Sequence, residues 1–185
     1  SIGVGYVLDF VKVSEMSENY SQEFINEMQQ DTRKGALKLN LQRDTRDNLL
    51  DPSSGYLVFG KGLLNTEATG GSTNYYGLDA GASGYWNYFD KFIVLHAGAK
   101  AGTTGAVSGN NSDVPIYQRY FLGGQNSIRG FKYMAVSPLD SNNMPTGGLS
   151  SLTGTLEATH PIYKWIKGAP FIDMGNAWDN PYQYA

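Results

Sequence analysis

Hydrophobic residues recur in this chain with a period of two, and no 3.6-residue period of any length competes with it. That alternation puts successive side chains on opposite faces of a strand. It therefore fixes which residues can share a buried or apolar surface. From Ile2 to Val13, Val4, Tyr6, Leu8 and Phe10 fall together. In Leu37–Gln42, three leucines (37, 39 and 41) oppose Lys38, Asn40 and Gln42. From Tyr76 to Trp86, Tyr76, Leu78, Ala80, Ala82 and Trp86 oppose Asp79, Ser83, Tyr85 and Asn87. After Phe92, Ile93, Leu95, Ala97 and Ala99 oppose His96, Gly98 and Lys100. In Ser151–Thr159, Leu152, Gly154, Leu156 and Ala158 oppose Thr153, Thr155, Glu157 and Thr159. Tyr56–Asn65 carries bulky residues on both faces. One stretch breaks the pattern: Tyr20–Gln30 is polar and helix-like, and is expected as a short surface helix in a loop.

The segments predict an all-β chain of about seven antiparallel strands. Each is roughly 9–11 residues, the length that crosses a tilted bilayer. The connections are asymmetric. Asn87–Lys91 and Ile162–Gly168 are short, whereas long loops are expected at about 14–34 and 103–148. Short turns on one rim and long loops on the other are a membrane-barrel pattern. A soluble β-sandwich alternates too. The long loops and the small, apolar faces favour the membrane.

Composition agrees with that preference. The 185 residues include 23 Gly and 13 Tyr against 8 Phe, and only 17% are charged. Aromatic girdles and crowded barrel walls draw on these residues. The negative mean hydropathy is compatible with a membrane, because barrel strands expose only alternate residues to lipid. There is no cysteine, so disulfides and thiolate metal sites are excluded. His96 and His160 are far apart and read as wall residues, so no metal site is expected. The net charge of −3 with no basic tract makes nucleic acid a poor partner. No Ser nucleophile motif or phosphate loop is present, so no catalytic residue, enzyme activity or cofactor is expected.

Three segments stand out: Arg43–Gly55 (RDTRDNLLDPSSG), Arg119–Phe131 (RYFLGGQNSIRGF) and Pro170–Trp178 (PFIDMGNAW). In order and spacing they resemble the C-terminal barrel domain of the Omp85 or surface-antigen family. That family includes the outer-membrane protein assembly factors of bacteria and their mitochondrial and chloroplast relatives. The resemblance covers nearly the whole chain, which reads as a single domain, 1–185.

The resemblance implies a piece of a larger antiparallel membrane β-barrel of about 16 strands, with a long loop inserted into its lumen. An odd strand count and a first residue already in strand-like sequence suggest that N-terminal periplasmic repeats and closing strands are absent. It implies that Arg129, with Gly130 and Phe131, anchors the loop to the acidic groups Asp173 and Glu157, with Phe171 alongside. Gly123 and Gly124 would free the hairpin backbone. Asp44, Arg46, Asp47, Pro52 and Gly55 would form a structural turn on the periplasmic rim. Period-two counting independently puts Glu157 and Asp173 on the polar faces of their strands.

The implied activity is ATP-independent insertion of β-barrel proteins in the outer membrane of a Gram-negative bacterium or of an organelle. Its partners would be membrane lipid, unfolded client proteins and periplasmic accessory lipoproteins or chaperones. Alternatives are a polypeptide-secreting or passenger-displaying relative, or a passive porin-like barrel.

Overall fold

The computed structural model describes residues 1–13, 17–28, 31–90 and 92–185. Parts of both the 14–34 loop and the Tyr20–Gln30 stretch, and Lys91 of the short turn, lie outside the described residues. The chain forms β1 (Ile2–Lys12), α1 (Gln22–Met28), β2 (Asp31–Asp44), β3 (Gly55–Asn65), β4 (Tyr75–Tyr88), β5 (Ile93–Ala106), β6 (Ser150–Tyr163), β7 (Ile166–Gly168) and β8 (Phe171–Trp178). All pairings are antiparallel between chain neighbours, except that β8 returns to β6 beside β7. β7 and β8 are two stretches of one path along β6, interrupted at Ala169-Pro170. Proline has no N–H to give the ladder. Eight strands thus make seven antiparallel runs in one open sheet.

The main strands are longer than expected: β2, β4, β5 and β6 each have 14 residues. β2 already begins at Asp31 and β5 continues to Ala106, so the long connections shrink to 13–30 and 107–149. The reason is visible in the register. Lys12–Val7 pairs with Asp31–Ala36 beyond the last β2–β3 pair, Ala36 with Asn65. Here β2 extends past its pairing with β3, and the 66–72 turn covers that edge, Ser72 N–H donating to the Arg33 carbonyl at 2.8 Å, with no apolar alternation in β2 to announce it.

The register aligns the faces that alternation separates. Gln42, Phe59, Gly81, Lys100, Thr153 and Gly175 form one row, and Asp44, Leu57, Ser83, Gly98, Thr155 and Asp173 the next. These rows lie on the face that receives the 107–149 loop. The opposite face carries Val4, Leu8, Leu37, Leu41, Leu78, Leu156 and Ile172, all well exposed.

The core lies between this wall and the loop. Tyr75, Val114 and Leu149 cluster with Leu63 and Tyr117, and Leu122, Ile128 and Ala177 cluster with Tyr120 and Val136. The loop carries short ladders of its own, Tyr120 with Gly148 and Leu122 with Val136. The expected surface helix is a docked one. Phe24 and Met28 of α1 are buried, the Arg119 guanidinium sits 5.8 Å from the Phe24 ring, and Ser21 N–H donates to Asp140 at 2.6 Å.

Candidate functional site

The 107–149 loop doubles back at its tip as a tight hairpin. At Gly123, φ is +106°, and a Cβ there would stand 2.2 Å from the Lys132 carbonyl oxygen. Only glycine fits both conditions. Ser127 Oγ closes the turn, accepting from Gly123 N–H at 2.8 Å. Gly124 N–H donates to the Phe131 carbonyl at 3.0 Å. This geometry carries Arg129 onto the inner wall.

There the Arg129 side chain makes a fork. Its Nε and Nη2 donate to the two oxygens of Asp173 at 2.7 and 2.8 Å. Its Nη1 reaches Glu157 at 2.5 Å and Nη2 reaches Thr155 Oγ1 at 3.0 Å. Its backbone N–H adds a bond to Asp173 at 2.9 Å, and Thr155 Oγ1 donates to the same carboxylate at 2.6 Å. The Asp173 side chain is only 2% exposed. A carboxylate so enclosed needs charged, directional partners, and the planar guanidinium supplies them in bidentate form. The bonds to Asp173, opposed by burial and reinforced by those to Glu157, raise the Arg129 pKa above its ordinary value. The Phe171 ring closes one side, its centroid 3.6 Å from Arg129 Cζ.

Arg129, Glu157, Asp173 and Phe171 therefore meet. Gly130 sits beside them with φ +92°. Phe131 does not join: its side chain is 57% exposed, and what it contributes is its carbonyl. The aromatic contact comes from the wall, because the strand residue preceding Ile172 faces inward and the hairpin turns Phe131 away.

The sequence reading missed several contacts. Thr155 was seen only as a polar wall residue. Tyr120 OH donates to Asp79 at 2.9 Å, its ring pressed so close to Gly102 that a Cβ there would lie 2.6 Å away. Burial, then Asp79, pushes the Tyr120 hydroxyl pKa up. Alternation had placed Asp79 inward with no partner named, which was the available signal. Beyond the wall, burial works against ionised Asp140, yet the N–H groups of Ser21, Met144 and Asn142 hold its pKa below the usual carboxylate range.

The β2–β3 turn is a separate structure. Arg46 grips Asp44 through Nε and Nη2 at 3.0 and 2.7 Å, which raises the Arg46 pKa. Asp47 accepts from Ser53 N–H, Ser54 N–H and Ser53 Oγ. Pro52 lies between them, and Gly55 (φ +96°) returns the chain to β3. Arg46 also interacts with Tyr85, whose ring stacks on His96 at 4.5 Å. His96 in turn pairs in register with Glu157. His160 lies farther along β6, opposite Gly168. Among the described residues there is no acidic, histidine or cysteine cluster able to hold a metal.

The comparisons with known proteins fit this arrangement. The Omp85 superfamily domain matches residues 1–185. The outer membrane protein assembly factor BamA of Nitratidesulfovibrio vulgaris is 24% identical across the whole chain, which covers 23% of that protein. A SAM50-like protein of Schizosaccharomyces pombe is 27% identical over 76% of this chain and 30% of its own length. The crystal structure of BamA from Haemophilus ducreyi lacking POTRA domains 1–3 aligns with 96% of this chain and 38% of that one. Its TM-score is 0.77 at 20% identity. The chain thus spans under a third of the curated relatives it matches, and it belongs to the Omp85 superfamily as an antiparallel segment of that family's outer-membrane β-barrel.

Proposed function

We propose that the protein containing this chain inserts and folds β-barrel proteins in the outer membrane without ATP. The observation that carries this reading is the match of the whole chain to an outer-membrane protein assembly factor, of which it covers 23%, together with a loop clamped against the wall by Arg129. The work would be physical. Strand edges of the barrel template incoming strands through backbone pairing, while the clamped loop keeps the wall in shape. No covalent chemistry is assigned to Glu157 or Asp173, because both are committed to Arg129. Unfolded outer-membrane proteins would be the clients, delivered from the periplasm with accessory lipoproteins or chaperones.

The test uses the full-length protein in lipid vesicles, with an unfolded barrel protein added and no nucleotide. Folding of the client, read as protease resistance or a gel-mobility shift, should be much faster than in empty vesicles. Arg129→Ala should slow it. Equal rates with and without the protein would refute the assembly reading and leave secretion or passive transport.

A further inference from the structure

The turn between β2 and β3 does not project away from the rim. Its residues Arg46, Leu50 and Asp51 line the same cavity of about 490 Å³ as the inward-facing His96 and Glu157. At its tip the Asp51 carboxylate pairs with Lys167 Nζ of β7. Between β3 and β7 stand β4, β5 and β6, so four interstrand steps, roughly 19 Å, separate the turn's base from the strand that carries Lys167. A turn spanning that distance crosses beneath the lumen at its short-turn mouth. The loop hairpin carrying Arg129 roofs the same cavity from the other side.

The two ends of this crossing are held very differently. The near end is rigid, with the Arg46–Asp44 fork and three bonds into Asp47. Asn48 Oδ1 also accepts from Leu50 and Asp51 N–H. The far end is one ion pair whose side chains are 48% and 70% exposed. Exposed pairs of this kind contribute little and are screened by salt. The tip itself carries little apolar burial, with Leu50 96% exposed, while Pro52 beside it is half-buried.

We propose that residues 45–54 form a strap across the short-turn mouth of the lumen, with the Asp51–Lys167 pair as its release point. The base stays folded as a unit while the tip unlatches, giving periodic access to the cavity below the Arg129 hairpin. The inference rests on the barrel fold and is independent of the assembly activity.

The experiment follows access directly. The full-length protein carries Ser83→Cys, which lines the cavity, and any cysteine outside this segment is replaced. A polar maleimide reports the opening rate. Lys167→Glu should accelerate labelling about fivefold or more, the factor set by losing a weak exposed pair and adding repulsion. Raising the salt should accelerate the parent and not the variant. The swap Asp51→Lys with Lys167→Glu should restore slow labelling, which separates unlatching from misfolding. An unchanged labelling rate in Lys167→Glu, or a swap that fails to restore the slow rate, would overturn the proposal.

Discussion

Replacing Arg129 with alanine removes four side-chain hydrogen bonds at once, two to Asp173 and one each to Glu157 and Thr155. It does not strip Asp173 completely. The backbone N–H of residue 129 and Thr155 Oγ1 remain as donors. Breaking one side of a buried ion pair costs about 3–5 kcal/mol. The lower end applies here, because Arg129 keeps 29% exposure and Asp173 keeps two partners. About 3 kcal/mol is a factor of roughly a hundred in the equilibrium between seated and lifted loop.

Amide hydrogen exchange on the full-length protein reads that factor at Leu122 and Val136, which bond to each other across the loop. Both should exchange about a hundredfold faster in Arg129→Ala, with the β4–β5 ladder unchanged. Arg129→Lys should fall between, because it keeps the charge and loses the fork. Acceleration below about threefold at Leu122 and Val136, with the strands intact, would refute the claim that this arginine holds the loop.

Other perturbations probe the rest of the wall. Gly102→Val should drive the Tyr120 ring off the wall at a cost of about 1–3 kcal/mol, read as lowered thermal stability, with Tyr120→Ala in the same chain recovering part of it. Leu41→Arg on the outer face should destabilise the folded state in vesicles by about 2–4 kcal/mol if it sits near the midplane, whereas Gln42→Arg, one residue on and facing inward, should be mild. The Asp140 contact with α1 depends on the ionised carboxylate, whose folded pKa is depressed. Its stabilisation is therefore complete above the ordinary carboxylate pKa of about 3.9 and is lost as pH falls through the lower folded value. Protection of Ser21 N–H, taken relative to its intrinsic exchange rate at each pH, should persist at neutral pH and fall only in strong acid, and Asp140→Asn should lower it wherever the parent carboxylate is ionised.

Much of the wall was legible because a strand's two faces have opposite needs. Leu37, Leu39 and Leu41 could share only one face, and Glu157 and Asp173 had to share the other. Strand length was not legible. The stretch from Asp31 to Ala36 is held by pairing with β1 and by the 66–72 turn on its other edge, and neither leaves a period-two apolar mark on its side chains. Phe171 could be placed beside the Arg129 anchor from the resemblance and from alternation, whereas the outward turn of Phe131 is decided by the hairpin's φ angles, which the sequence does not state. Thr155, Tyr120 and Lys167 were missed for a shared reason. Thr155 meets Asp173 through register, Tyr120 reaches Asp79 from the loop and Lys167 meets Asp51 of the β2–β3 turn, placements that a single sequence does not state.

The placement of the core between wall and loop bears on the order of assembly. Arg129 is followed 28 residues later by Glu157 and 44 residues later by Asp173. The wall on its other side, β5, immediately precedes the loop. The groups that hold Arg129 thus lie 28 to 44 residues away within this one segment, so the contact closes without the barrel's remaining strands. The loop is expected to be captured by a half-built sheet before any barrel closes around it. A closed cylinder would instead have to be threaded by a folded hairpin from its rim. This segment would then act as the template of its own molecule, with the remaining strands added to a wall that already carries its plug.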